Sequence, residues 1–381
     1  MPGKRKKSLG ALEREYAAKL NQAIVLNASK TINTLQEANK QLAKRIAAFT
    51  ARHPLGTYKG GFYKWNQALQ RQISDLLKQL SGDLLKQIDA GILQQWGLAD
   101  VKNNLLTDQY LKDIVISNQL RTSFRRVNLQ ALKAFQNRSV DGLNLADRVW
   151  NIAGKKTKAQ LEQYLASGII TGRSAAKISK DLDNFLKGKP IKYKGKLLRG
   201  QNLTFQSIRL AATEQNMAYR MSDYSRRMQL PFVTGVRIHL SLAHPRPDIC
   251  DPMAGDYPKG FVFGGWHPIC ICYQTSILMS KQDAISYLKT GRVPGAVKYV
   301  NKIPGSAKSY LFEHKAQFRR WKTKPYFLED NFTAASINHP RYKNFVLRKD
   351  VSRAGVPRGA SVLMPGVNIK PVTVPKKRSK S

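Results

Sequence analysis

The sequence predicts a mainly α-helical protein with a smaller α+β domain. Apolar residues recur at helical spacing through most of the first half. One short segment alternates apolar and polar residues at strand period. A Pro/Gly-punctuated stretch then follows at residues 239–272. It holds all 3 cysteines, together with His239, His244 and His267. The expected layout is a long helical N-terminal half, then a helix, short β-strands and a Cys/His-rich loop knot.

Residues 1–9 read as a basic arm, MPGKRKKSL. From Leu12 an apolar stripe runs through Tyr16, Leu20, Ile24, Ile32, Leu35, Leu42, Ile46 and Phe49 on one helical face. His53-Pro54-Leu55-Gly56 breaks it, with His53 as a turn residue. A second stripe of Trp65, Leu69, Ile73, Leu76, Leu80, Leu84, Ile88 and Ile92 predicts a helix over residues 65–96, capped by Gly97. Two amphipathic helices joined by a short turn make a hairpin. Residues 105–152 read as further helices broken near 137–144, with Arg121, Arg125, Arg126, Lys133 and Arg138 on a solvated face. Thr157 and Gln160 fit a capping box ahead of Leu161, Leu165 and Ile169. After Thr171-Gly172, Ser174 caps a helix whose stripe is Ile178, Leu182, Phe185 and Leu186. This pair reads as a generic helical hairpin before a DNA reader, because Asn and Gln base readers are sparse on it. Residues 10–186 group as an α-helical assembly domain.

KGKPIKYKGKLLRG, residues 187–200, reads as a basic linker. A third long helix is expected over residues 203–228, with Glu214 in a surface or intrahelical ion pair near Arg209 and Arg220. Val236, Ile238, Leu240 and Leu242 then alternate with Arg237, His239 and Ser241. That strand turns His239 away from the aliphatic face. Residues 201–280 form the α+β domain, and residues 281–381 a basic extension with short helical pieces. His314 and His339 read as surface residues. Phe318, Trp321, Tyr326 and Phe327 interleave with Arg319, Arg320, Lys322 and Lys324. Such a run either stacks bases and contacts phosphates or covers a small core with a cationic rim. The core reading is preferred.

Charge is the strongest global feature. Against 65 Lys+Arg stand 24 Asp+Glu, a formal net charge of +41. A neutral partner gains nothing from that excess, whereas a polyanion releases condensed counterions on binding. The expected partner is DNA, held by charge and not by sequence. The residues expected to touch it are Lys187, Lys192, Lys194, Lys196, Arg199, Arg319, Arg320, Lys376, Lys377 and Arg378. No run has transmembrane length, no membrane partner is expected, and the basic start lacks the apolar region of a secretory signal. An odd cysteine count makes a poor disulfide framework and suggests a reducing compartment.

Cys250, His267, Cys270 and Cys272 are four soft or borderline donors in the knot, with His244 and Asp248 in reserve. Zinc is the cofactor such a set favours. The C-x-C spacing is less specific than C-x₂-C, and a small core of buried cysteines is the competing reading. A catalytic metal on His244, Asp248 and Asp251, or a Cys–His nucleophile pair, is a further alternative. Neither has a strand–turn–helix setting, so no catalytic residue is assigned and a structural role is preferred.

The order ADRVW, SGIITGRSAAKISKDL, IRLAATEQNMAY, then a strand and H-x₃-DICD…G…HP-x-C-x-C resembles the Mu F-like minor head protein family of tailed phages. The resemblance covers about residues 144–275. His244, Asp248, Cys250, Asp251, His267, Cys270 and Cys272 match the family's C-terminal pattern. Ile271 departs from it, since a basic residue often stands there, and Gly264-Gly265-Trp266 replaces a proline-rich approach. The resemblance implies a virion protein present in several copies, with portal and capsid proteins as partners. It would lie in the head interior or at the portal vertex, and in the bacterial host cytoplasm during assembly. Its expected task is head morphogenesis or genome delivery. The alternatives are a metal-dependent DNA-processing hydrolase carried in the virion and a free zinc-stabilised nucleic-acid-binding protein.

Overall fold

In a computed structural model, the structure describes residues 8–52, 62–155, 190–193, 196–199, 203–244 and 247–353, with Thr157, Lys177, Lys180 and Asn184 singly. It is mainly helical with one small three-stranded sheet, as the two periodicities predict.

Helix α1 spans Leu9–Arg52 and α2 Phe62–Tyr110. Leu12, Tyr16, Leu20, Leu35 and Leu42 are buried on α1, and Ile73, Leu76, Leu80, Leu84, Ile88 and Ile92 on α2. Gly97 does not end α2. The buried stripe continues through Ala99, Leu106 and Tyr110, and that burial outweighs the roughly 1 kcal/mol cost of a helical glycine. Helices α3 (Asn118–Arg125), α4 (Leu129–Gln136) and α5 (Leu145–Trp150) follow. The expected break at 137–144 is a tight turn. Val140 and Leu143 form a bridge, and Asp141 (φ 54°) and Gly142 (φ 76°) turn in the left-handed region between them. Asn144 and Asp147 make a reciprocal capping box for α5. Thr157 donates its hydroxyl to the Ile152 carbonyl at 2.9 Å. The paired helices expected after it lie outside the described residues, as do the basic arm through residue 7 and the turn at His53.

Inside the basic 187–200 stretch, strands β1 (Pro190–Tyr193) and β2 (Lys196–Arg199) pair antiparallel. Helix α6, Leu203–Gln229, matches the third predicted helix. Strand β3 is Val233–His239, earlier than the alternation suggested. Leu240 and Leu242 lie beyond it, and Leu242 is fully exposed. Strands β4 (Gly255–Pro258) and β5 (Tyr273–Leu278) flank β3, both antiparallel. Short helices complete the described chain: α7 Lys281–Thr290, α8 Gly305–Glu313, α9 Lys315–Arg320, α10 Tyr326–Asn331, α11 Ala334–Asn338 and α12 Lys349–Arg353.

The described residues fall within two compact units. One takes Ala23–Leu93 and Gln136–Gln215; the other takes Met1–Gln22, Gln94–Phe135 and Asn216–Ser381. In the first unit, Glu214 is buried and pairs with Arg138 at 2.6 Å and Arg148 at 2.7 Å. This corrects the expected surface or intrahelical pair, because both cations come from other elements. Gly91 of α2 permits a close approach of α6. A Cβ there would stand 2.6 Å from the Gln215 side chain. Gln215 in turn accepts from Asn27 of α1 at 2.9 Å.

In the second unit, the sheet carries Val236, Ile238 and Tyr257 into a core with Phe261, Phe263, Trp266, Phe318 and Phe327. The C-terminal helices thus supply part of the wall around the knot. Beside it runs a buried polar network. Asp223 accepts from Lys102, from Asn103 at 2.9 Å and from Gln274 at 2.8 Å. Burial raises the Asp223 pKa, but Lys102 and Arg227 outweigh it and hold the carboxyl low. Glu13 accepts the Ser276 amide at 2.9 Å. Its burial pushes its pKa up to about 7, against the pull of Lys102.

Candidate metal centre

Helix α6 grips the knot through two buried arginines. Arg220 donates to the carbonyls of Gly264 (2.8 Å), Cys270 (2.6 Å) and Cys272 (2.7 Å). Its guanidinium lies 4.8 Å from the Phe263 ring centroid. Arg227 donates to Lys259 O (2.9 Å) and Phe261 O (2.8 Å). These backbone groups are buried away from water, and a charged donor satisfies them strongly. Gly265, at φ +115°, is required where it stands, since a Cβ would meet Arg220 at 2.5 Å. Ile269 turns the chain at φ 60°, a conformation that costs a β-branched residue about 1–3 kcal/mol. That turn returns the Cys270 amide to the His267 carbonyl at 3.2 Å.

The turn gathers the donors. The thiols of Cys250, Cys270 and Cys272 lie within 4.8 Å of one another, all buried, and could hold a metal ion. Cys250 Sγ stands 3.9 Å from Cys270 Sγ and 3.2 Å from His267 Nε2. His267 Nδ1 lies 2.8 Å from the Pro268 carbonyl. With the proton there, Nε2 presents its lone pair to the sulfur side. A second donor group, His244, Asp248 and Cys250, shares the Cys250 sulfur. Asp248 sits between two imidazoles, 3.1 Å from His244 Nε2 and 3.4 Å from His267 Nε2.

Electrostatics follow from the hydrogen bonds. Those from Cys250 and Cys272 hold the Cys270 thiol well below its ordinary range, and Arg220 adds to the effect. Cys250 is pushed up, chiefly by its hydrogen bond to Cys270. Cys250 draws Cys272 down, but its bond to Cys270 and burial leave it raised to about 12. Burial raises Asp248, yet the Cys250 amide at 2.7 Å and the two histidines outweigh it and lower its pKa. The site therefore has a buried soft face of sulfur and a half-exposed outer face of carboxylate and imidazole.

Three of the four primary candidates, the thiols, converge directly, and His267 reaches the Cys250 sulfur. Both reserve residues join through Cys250. Asp251 caps the loop by accepting the Asp248 amide at 2.7 Å. His239 belongs to neither donor group. It stacks on Tyr273 at 4.8 Å and its Nε2 lies 2.8 Å from Thr275 Oγ1.

Among the basic candidates, Lys192, Lys196 and Arg199 lie on the β1–β2 hairpin. Arg320 is exposed and Arg319 half-buried. Lys187, Lys194, Lys376, Lys377 and Arg378 lie outside the described residues. His314, expected at the surface, is half-buried and stacks on Tyr310 at 4.1 Å; His339 is exposed. Sequence reasoning missed Arg220, Asp223 and Arg227. Their spacing of three and four along α6 places charge on a core-facing stripe, a pattern that was available in the sequence. No family model, curated protein or solved structure matches the chain.

Proposed function

We propose that this chain is a structural minor head protein of a tailed phage, placed at the portal or inner capsid. It works in head morphogenesis or genome delivery and meets packaged DNA through charge. One observation supports this most. The residues that carry the resemblance to the Mu F-like family, from His244 to Cys272, pack into one clasp.

In this reading the clasp holds zinc. Cys250, Cys270 and Cys272 supply sulfur and His267 the fourth ligand. A tetrahedral site with zinc–sulfur bonds of about 2.3 Å sets its sulfurs roughly 3.8 Å apart. The Cys250–Cys270 separation is 3.9 Å. The Pro268 carbonyl fixes the orientation of the His267 ring, a common outer-shell role. Bound metal contributes folding energy to a loop-rich segment. His244 and Asp248 brace the outer face.

Elemental analysis of the purified protein, with quantitation of the chain against the portal protein in purified particles, tests this. Stoichiometric zinc and a fixed ratio to the portal support it. A chain missing from particles overturns the virion role. Metal-dependent DNA nicking that disappears in Asp248→Ala and His244→Ala proteins overturns the structural role in favour of a hydrolase.

A further inference from the structure

The interleaved aromatic and basic run around α9 divides into two populations. Phe318 is 2% exposed and Phe327 0%, and both belong to the core around the knot. Trp321 is 41% exposed. Its ring meets Phe318 edge-on, with centroids 5.3 Å apart at 77°. Its amide closes α9 by donating to Gln317 O at 3.3 Å. Lys324 Nζ folds back onto the carbonyls of Arg319, at 3.1 Å, and of Trp321 itself. The backbone that carries the indole is therefore held, its ring rests edge-on against Phe318, and much of its surface faces water.

Its surroundings are cationic. Arg320 and Lys322 flank it in sequence and are exposed. Neither has a carboxylate partner among the described residues, and residues 314–328 contain no acid. Solubility does not need an exposed indole, and core packing is already served by Phe318 and Phe327. A held aromatic face between unneutralised cations fits one chemistry closely: an unpaired base on a phosphate chain. The base stacks on the ring and the phosphates meet the cations. A duplex keeps its base faces inside its own stack, so it can use the cations but not the indole.

We propose that Trp321, with Arg320 and Lys322, is a stacking site for an unpaired base of single-stranded nucleic acid. The site rests on the charge-driven contact with nucleic acid proposed above. It adds a preference for single strands that charge alone does not supply.

The test uses the full-length protein at one fixed salt concentration. Oligo(dT), a duplex of equal length and inorganic polyphosphate are titrated against wild type, Trp321→Ala and Trp321→Phe. Trp321→Ala is expected to weaken oligo(dT) binding about tenfold, with duplex and polyphosphate affinity changed less than about twofold. Trp321→Phe restores most of the loss, which separates stacking from a folding defect. Oligo(dT) should also quench tryptophan emission in wild type more than in Trp321→Ala, because the variant lacks the indole on which the base stacks. Equal loss for all three ligands, or no loss for oligo(dT), overturns the stacking site. If polyphosphate and duplex still bind in that case, the charge reading stands without it. If none of the three binds wild type, the charge reading falls as well.

Discussion

Arg220 ties the backbone of the knot together. One guanidinium satisfies carbonyls of Gly264, Cys270 and Cys272 in a buried setting. Arg220→Ala leaves them unpaired, at about 1–3 kcal/mol for each group stranded without water. The variant should lose roughly 3 kcal/mol or more in urea unfolding and, with the proposed zinc bound, release it to a chelator faster than wild type. Arg220→Lys should recover only part, because an ammonium lacks the planar fork. Wild-type unfolding in the alanine variant would remove Arg220 from this role. Glu13 supports a pH prediction with a defined sign. Its folded pKa of about 7 lies above its ordinary value of 4.5. The folded state therefore holds a proton that the unfolded chain has released. The associated stability is complete below about 4.5 and is lost as pH rises towards 7, up to about 3 kcal/mol. Glu13→Gln keeps an acceptor for the Ser276 amide and should flatten that decline in thermal melts from pH 5 to 8. An unchanged pH slope in the variant would show that Glu13 is ionised throughout. Composition alone singled out the cysteines, since all 3 fall in one stretch. Arg220 was harder to see because its partners are backbone carbonyls 44 to 52 residues away, and no side-chain pattern records them.

At the level of elements, the fit of α2 against α6 turns on Gly91. Replacing it with alanine improves helix propensity by about 1 kcal/mol. It also drives a Cβ to within 2.6 Å of Gln215, which is buried and held by Asn27. Overpacking of this kind costs about 1–3 kcal/mol, so Gly91→Ala should be destabilising despite the better propensity. Adding Gln215→Ala removes the clash and should return part of the loss in a double-mutant comparison. A stabilised Gly91→Ala protein would mean that the helices separate freely. The helices themselves were legible because their apolar stripes span many turns, as with Ile73 to Ile92 on α2. Their ends were less so. Gly97 looks like a cap, but the stripe resumes at Ala99 and the helix continues. Leu240 and Leu242 extend the strand alternation, yet β3 ends at His239 because pairing with β5 stops opposite Tyr273. Glu214 could not be placed from local spacing, since Arg138 and Arg148 reach it from 76 and 66 residues away.

For the whole molecule, the question is where the surplus of +41 resides. Burial withdraws Glu13, Asp100, Glu214 and Asp223 on one side. It withdraws Lys102, Arg220, Arg226, Arg227, Lys259 and Lys315 on the other. The two sets nearly cancel, so burial among the described residues removes little of the surplus. A net charge of that size costs self-repulsion, which a polyanion relieves by giving up condensed counterions. Metal removal and salt should therefore act on different properties. If the clasp around Cys250, Cys270 and Cys272 holds zinc as proposed, chelation should lower the melting temperature by several degrees while leaving duplex affinity nearly unchanged. Salt should do the reverse. If six or more phosphates are neutralised, duplex affinity falls by about 10³ or more between roughly 50 and 200 mM salt, a log–log slope near −0.9 per phosphate. The loss should be the same for unrelated duplex sequences, because charge does not read bases. A shallow slope, or strong discrimination between duplexes at one salt concentration, would rule out charge as the basis of the proposed DNA contact.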